Sequence, residues 1–472
     1  MDNKKRKSVK ELRDALTEDS PSMSLIGTLF DEGTFSQLGA YVRRVTTAAD
    51  SGEKASDFEG VVTGYGAIDG RLVFAFVQDS SRMKGAFGEA HAKKICSLYD
   101  MAMKAGAPVV GVFDSCGAKI EEGAAAMAAY AKVMKKAADA SGYIPQIAAV
   151  TGVCAGSAAA FAAMFDFVLA SEKAEMYVTS PFLMSKEDSK AGSVENAAKC
   201  GMIDIVCAEN EIASNVRKLI MYLPQNAEGE AIIENGDDLN RLTPELEEIL
   251  ASGGDTEAVI KSLADDRRVL SIASAYAPEM LCSFISVGGY SCGVVANNPG
   301  VKDGAITPAA ADKASGFINL CTSFGLPVIT LVNSVGSEGS AANENAAYAS
   351  SLASLAYSYA QAPAPLITAV IGKAYGVAGT VFGTKSVGAD VVYATENAKI
   401  SAMSPEAAVS FLYGKEIAAS DDPQSMRAEK TALWTEENAS PASAARLGEI
   451  DDIIDASEFR QRICAAIEMM NA

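Results

Sequence analysis

Gly106-Ala-Pro-Val-Val-Gly-Val-Phe-Asp-Ser-Cys-Gly117 returns later in the chain as Gly325-Leu-Pro-Val-Ile-Thr-Leu-Val-Asn-Ser-Val-Gly336. The surrounding order returns with it. Lys94 answers to Lys313, Gly152-Val-Cys-Ala-Gly-Ser157 falls opposite Gly372-Lys-Ala-Tyr-Gly-Val377, and Asp166-Phe-Val-Leu-Ala matches Asp390-Val-Val-Tyr-Ala. The offset is 219 residues from 106 to 325, 220 from 152 to 372 and 224 from 166 to 390. So long a period with so little drift marks a duplicated domain, not a solenoid of short repeats.

Working outward, each copy opens on a β-hairpin. Gly60-Val-Val-Thr-Gly-Tyr-Gly66 and Arg71-Leu-Val-Phe-Ala-Phe-Val77 flank Ala67-Ile-Asp-Gly70, and Leu281 to Val287 and Tyr290 to Ala296 flank Gly288-Gly289. Helices are expected from Gly88 to about Lys104 and from Ala309 to Phe324, followed by the apolar strands Val109 to Phe113 and Val328 to Val332. The expected fold class is therefore α/β, a repeated ββα unit with mostly parallel inner strands. The expected boundaries are an N-terminal domain over 1–225, an acidic linker over 226–266 with a short helix or two, and a C-terminal domain over 267–472. Asp451 to Ile454 and Phe459 to Met470 read as a closing strand and amphipathic helix.

Composition narrows the function. The 472 residues carry 40 basic and 60 acidic side chains, a net charge of −20 that argues against nucleic acid or an anionic membrane as the main partner. Lys4-Lys-Arg-Lys7 lacks a following apolar segment and reads as a solvated N-terminal helix, not an address. The uncharged run from Ala140 to Phe165 reads as a buried strand, a glycine turn and an alanine-packed helix, not a membrane span. Nine scattered cysteines without a C-x-x-C pair fit a reducing, cytoplasmic setting and offer no metal spacing. The single histidine, His91, excludes a Ser-His-Asp triad unless it belongs to one, and reads as a packing or capping residue.

The chemistry must therefore come from groups other than imidazole. Gly152-Val-Cys-Ala-Gly-Ser-Ala158 places small residues between a strand and a helix, where backbone N–H groups can hold a developing oxyanion; on spacing alone, close packing of the helix on the sheet is the preferred reading of the same residues. Its counterpart, Lys373-Ala-Tyr-Gly-Val-Ala378, repeats the context and favours function. Asp114-Ser115-Cys116-Gly117-Ala118 ends the preceding strand on the same rim and reads as a pocket-shaping turn, with no base at hand to make Ser115 or Cys116 a nucleophile. Glu121 and Glu122 read as the solvated start of a helix. Met101-Ala-Met-Lys104 imitates a biotin-attachment signal but ends a helix, so any biotin arrives on another chain.

These residues carry a resemblance over nearly the whole chain. Asp114 to Gly123 follows the pattern D-S-G-G-A-R-I-x-E-G, and Ile144 to Gly156 follows I-P-Q-I…G-x-C-A-G-G. Gly85 to Lys94, Gly293-Val-Val-Ala-Asn-Asn-Pro299, Asp312-Lys313, Gly325 to Val332 and Lys373-Ala-Tyr-Gly376 complete the match. The chain resembles the carboxyltransferase subunit of biotin-dependent acyl-CoA carboxylases and decarboxylases, in the propionyl-CoA carboxylase β-chain and methylmalonyl-CoA carboxyltransferase group. The resemblance implies two tandem crotonase-type domains, each a ββα superhelix, with acyl-CoA on the N-terminal side and biotin, borne by a separate carrier protein, on the C-terminal side. It implies a homo-oligomer with active sites at a dimer interface, commonly in a hexamer, and biotin carboxylase or decarboxylase subunits as further partners. No metal is implied. The implied chemistry is that carboxybiotin releases CO2, the biotin enolate takes an α-proton from the thioester, the thioester enolate captures the CO2, and two oxyanion holes hold the two enolates. Carried over by position, Gly156 and Ser157 face the thioester oxygen and Val377 and Ala378 the ureido oxygen of biotin. Ser115, Cys116, Gly117, Ala118 and Ala155 line the first site, and Tyr375, Gly376 and Thr380 the second, Thr380 at a position that selects acyl length. Cys116, Lys119, Val153, Ser157 and Val377 depart from the pattern, as does Asn333-Ser-Val-Gly-Ser337, where the family has D-V-P-G-F. Two further roles fit the same resemblance: the carboxyltransferase subunit of a sodium-pumping acyl-CoA decarboxylase complex whose membrane parts are other chains, and a weakened, non-catalytic paralogue that serves as an assembly partner.

Overall fold

The computed structural model describes residues 21–45, 58–184, 190–234 and 236–471. The basic N-terminal run and its expected helix lie outside these residues. The chain divides into two compact units, which meet between Met221 and Tyr222.

In the first unit, eight described strands form one sheet in the order β1 (Ser36–Leu38), β2 (Val61–Ile68), β3 (Arg71–Gln78), β4 (Val109–Ser115), β5 (Gln146–Ala155), β6 (Phe167–Ser171) and β8 (Ile205–Cys207), with β7 (Glu175–Tyr177) also paired to β5. β2 and β3 make an antiparallel hairpin across Asp69-Gly70, and both of these residues take positive φ. From β3 onward the pairs are parallel, because the helices Glu89–Ala105 and Ala124–Ala140 return the chain to the same end of the sheet. The first of these helices stops at Gly106, whose left-handed φ of 58° lets its N–H reach the last-turn carbonyls of Ala102 and Met103. β4 from Val109 to Phe113 and β5 from Ile147 to Val150 are apolar and buried, as strands covered on both faces are.

The second unit repeats this plan. Its described strands run in the order β16 (Asp452–Ile454), β14 (Val391–Thr395), β13 (Leu366–Tyr375), β12 (Val328–Ser334), β11 (Tyr290–Asn297), β10 (Met280–Val287) and β9 (Val269–Ile272), with β15 (Lys399–Ser401) paired to β13. The expected hairpins, crossover helices and closing strand and helix all form. Lys94 sends its ammonium to the Val61 carbonyl, and Lys313 bonds the equivalent Met280 carbonyl at 2.7 Å. Burial brings the Lys94 pKa down to about 8.

One boundary is corrected. Residues 226–266 do not bridge two domains but belong to the second unit. Helices Glu245–Ala251 and Thr256–Leu263 place Leu246, Val259, Ile260 and Leu263 in its core. Asp265 accepts the N–H groups of Gly288 and Gly289 at the hairpin, and its carboxylate meets the fully buried Arg460 at 2.5 Å. Removing one member of such a buried pair costs about 3–5 kcal/mol.

Candidate active site

Each unit builds the same turn from the same contacts. At the end of β5, Gly156 adopts φ 64° and ψ −125°, and the helix Ser157–Ala162 begins at the next residue. At the end of β13, Gly376 has φ 54° and leads into the short helix Ala378–Val381. This left-handed geometry is open to glycine at little cost, which explains its place in both copies.

The turns are held from behind by the residue that follows the buried part of β4 or β12. Asp114 Oδ1 accepts the Val153 N–H at 3.1 Å, and Asn333 Oδ1 accepts the Lys373 N–H at 3.1 Å. A Cβ on Gly152 would stand 2.2 Å from Asp114 Oδ1, and one on Gly372 2.3 Å from Asn333 Oδ1, so glycine is required for the approach. The backbone N–H groups of Asp114 and Asn333 are received by Gln78 and Asn297, each at 3.2 Å. Gly85 and Gly304 press against the carbonyls of Asp114 and Asn333 at φ 66° and 68°.

The rim loops also match. Ser115 donates its hydroxyl to the Gly85 carbonyl at 2.6 Å and accepts the Gly117 N–H at 3.1 Å, and Ser334 accepts the Gly336 N–H at 3.0 Å. Gly117 lies against the Ala155 carbonyl and Gly336 against that of Tyr375, so each loop is brought onto its own turn. Ser115 and Gly117 are thus buried and structural, whereas Cys116 and Ala118 are exposed on the rim. Partial burial raises the Cys116 thiol pKa, which works against a thiolate. His91 supplies no base. It is fully buried, with Nε2 facing Gln78 at 3.3 Å, Nδ1 facing Glu59 at 3.2 Å and its ring against Phe87. Glu122 caps Glu89 through its N–H at 2.7 Å and pairs with Lys119 at 3.3 Å. Beside the second turn, Tyr375 is buried, its hydroxyl pKa raised to about 12 by desolvation, and exposed Thr380 returns its hydroxyl to the Val377 carbonyl.

The N–H inventory of the turns corrects one assignment. Gly156 already donates its single N–H to the Tyr177 carbonyl at 2.8 Å, as Gly376 does to Ser401 at 3.1 Å. Gly156 therefore shapes the turn and does not supply a donor. Among the described residues, the N–H groups of Ser157 and Ala158 in the first turn, and of Val377 and Ala378 in the second, have no acceptor. These four occupy equivalent positions of the two copies. Sequence reasoning missed Ala158, and it missed Asp114 and Asn333 as supports; the signal was their recurrence at the 219-residue offset.

Two such pairs can each steady an oxygen that gains negative charge, with no histidine or metal in the contact. Large apolar side chains stand exposed in both units, among them Ile120, Phe182 and Leu183 in the first and Met403, Phe411 and Leu412 in the second. No helix among the described residues is long and apolar enough to cross a membrane.

Comparison with known proteins gives a consistent answer. Residues 22–472 match the family model described as carboxyl transferase domain. A putative propionyl-CoA carboxylase beta chain of Bacillus subtilis is 37% identical over 458 residues, covering 94% of this chain and 89% of that protein. Methylmalonyl-CoA decarboxylase subunit alpha of Propionigenium modestum is 35% identical over 457 residues, covering 94% and 88%. Among solved structures, the hexameric transcarboxylase 12S with methylmalonyl-coenzyme A and methylmalonic acid bound aligns with a TM-score of 0.90 at 33% identity, over 97% of this chain and 90% of that one.

Proposed function

The chain belongs to the carboxyl transferase domain family and is an acyl-CoA carboxyltransferase, and from that premise we propose that it moves a carboxyl group between biotin and the α-carbon of a short acyl-CoA, as part of a biotin-dependent carboxylase. The observation that carries the reading is the pair of equivalent turns, each with two adjacent N–H groups left without an acceptor among the described residues. A thioester oxygen becomes more negative as its α-proton leaves, and fixed N–H donors favour that charge without having to reorganise. Ser157 and Ala158 take this role, with exposed Cys116 and Ala118 bounding the approach.

Val377 and Ala378 would hold the ureido oxygen of biotin, which gains negative charge when the carboxyl group leaves its nitrogen. Biotin, carried on another chain, supplies the carboxyl group when bound. Around it, this chain's part is to orient through Val377 and Ala378 and to bound the acyl side through Thr380. A homo-oligomer fits the exposed apolar side chains of both units and the hexameric assembly of the related 12S protein. The likeness to a methylmalonyl-CoA decarboxylase subunit keeps a second reading open, the same half-reaction run as decarboxylation within a membrane complex of other chains.

The test is decarboxylation of methylmalonyl-CoA or malonyl-CoA by the purified chain, with free biotin or a biotinylated carrier protein. Turnover that requires biotin is expected. Acyl-CoA binding without biotin-dependent turnover, where a related enzyme works under the same conditions, would overturn both readings and favour an assembly role.

A further inference from the structure

Behind the two turns, the side-chain amides that receive Asp114 and Asn333 are held differently. Gln78 Oε1 accepts the Asp114 N–H and Asn297 Oδ1 the Asn333 N–H, each at 3.2 Å. A backbone N–H can only donate, so in both copies the amide oxygen faces the strand and the amide nitrogen is left to find another partner. In the first copy that nitrogen meets His91 Nε2 at 3.3 Å. In the second, Asn297 Nδ2 is buried and has no hydrogen-bond partner among the described residues.

The difference lies on the crossover helices. His91 stands three residues before Lys94, and the residue three before Lys313, on the helix Pro308–Ser323, is Ala310. An amide nitrogen has only hydrogens to offer, so His91 Nε2 is the acceptor and the ring proton sits on Nδ1. Nδ1 faces Glu59 Oε1 at 3.2 Å, an oxygen that also receives the Gly60 N–H at 3.1 Å. Burial opposes ionisation of Glu59, but the bond from His91, the Gly60 N–H and the Lys94 ammonium outweigh it and hold its carboxyl below the usual range. Arg82 lies near Lys94 and pairs with Asp79 at 3.5 Å. A neutral ring with one donor and one acceptor satisfies both of its polar neighbours.

We infer that His91 is a positioning residue for the first turn: in its Nδ1–H form it fixes the direction of the Gln78 amide, which holds Asp114, which in turn holds the strand leading to the Ser157 and Ala158 donors. The inference rests on the reading of that turn as the site of the thioester oxygen. Turning the Gln78 amide over would set its NH2 against the Asp114 N–H, donor against donor, and leave both without an acceptor. Asp114 would then lose the fixed backbone from which its Oδ1 reaches the Val153 N–H. The second turn, with Ala310 in place of histidine, does not depend on a ring proton.

The chain has a single histidine, so [15N]histidine labelling of the full, untagged protein gives one imidazole to read by solid-state NMR. A protonated Nδ1 and a bare Nε2 are expected. His91→Leu is expected to speed amide exchange in residues 109–117 about three- to tenfold, read by mass spectrometry, and to leave residues 328–336 of the second copy unchanged. It is also expected to lower kcat for biotin-dependent methylmalonyl-CoA decarboxylation about ten- to a hundredfold, with the acyl-CoA KM changed less than about threefold. His91→Gln, whose amide can offer an oxygen to Gln78 and a nitrogen to Glu59, is expected to restore both exchange and kcat. Should His91→Leu not fold, the ring tautomer and His91→Gln decide. A proton on Nε2, unchanged exchange in His91→Leu, or a His91→Gln variant as impaired as His91→Leu would overturn the proposal. Wild-type protein without biotin-dependent turnover would instead refute the reading of the turn, and exchange in the two segments would still decide the role of His91.

Discussion

Asp114 and Asn333 stand at the same point of their respective sheets, one ionisable and one not, yet their Oδ1 atoms make the same 3.1 Å bond to the strand beyond. The glycine behind each turn, the serine on each rim and the N–H pair at each helix start are likewise preserved in position. Behind the turns the copies part: Phe76 and Phe113 pack against each other in one, where strand register sets Val295 and Val332 in the other. Duplication has therefore held the backbone that presents donors to a narrow geometry and left the side-chain filling free to diverge. Backbone placement tolerates little error where an oxyanion must be met, whereas a core tolerates many fillings of similar volume.

The comparison breaks most sharply if the two N–H pairs are not functional equals. Ser157→Pro and Val377→Pro each delete one donor at a helix start, where proline is tolerated; Val377 already has φ −61°. Each is expected to lower kcat for biotin-dependent decarboxylation by about 10²–10³-fold with the fold retained, as judged by circular dichroism. If acyl-CoA and biotin divide between the copies as proposed, Ser157→Pro acts on turnover at saturating biotin, and Val377→Pro leaves acyl-CoA affinity intact. Full activity in either variant would remove that turn from the mechanism.

A second test concerns the supports. Alanine at Gly85 would place its Cβ 2.1 Å from the Asp114 carbonyl, and at Gly304 2.4 Å from that of Asn333, both at positive φ and both against backbone that cannot swing aside. Each substitution is expected to destabilise its own unit by about 2–4 kcal/mol in urea unfolding. A large effect in one unit with none in the other would show that the shared geometry is not equally stressed.

Much of this was legible in the sequence because hairpins, crossover helices and glycine turns leave local marks, and because the copies can be read against each other. The strands Val109 to Phe113 and Val328 to Val332 announce themselves as apolar runs after a Gly-x-Pro. The acidic stretch 226–266 did not reveal its place: Leu246, Val259, Ile260 and Leu263 are spread over two short, charged helices, and the partner that draws them in, Arg460, lies about two hundred residues away. Nor could the sequence show that Gly156's N–H is engaged, since its acceptor, Tyr177, is fixed only by the pairing of β7 with β5. Asn333-Ser-Val-Gly-Ser337 departs from the family pattern in sequence. In the fold, Asn333, Ser334 and Gly336 repeat the hydrogen bonds that Asp114, Ser115 and Gly117 make.

That repetition yields the smallest and most discriminating prediction. If one acceptor oxygen is all the turn requires, Asp114→Asn should shift stability by less than about 1 kcal/mol and keep the decarboxylation rate near wild type, because Asn333 already performs the same task without charge. Asp114→Ala and Asn333→Ala instead leave the N–H of Val153 or Lys373 without its acceptor and should each cost about 1–3 kcal/mol in urea unfolding. Should Asp114→Asn behave like Asp114→Ala, the negative charge matters in the first copy and not in the second, and the two turns, alike in geometry, would differ in electrostatics. The difference would then fall on the turn assigned to the thioester, where an anion held behind the donor pair opposes charge on the oxygen in front of it, and the cost of keeping it would call for a compensating cation near Asp114.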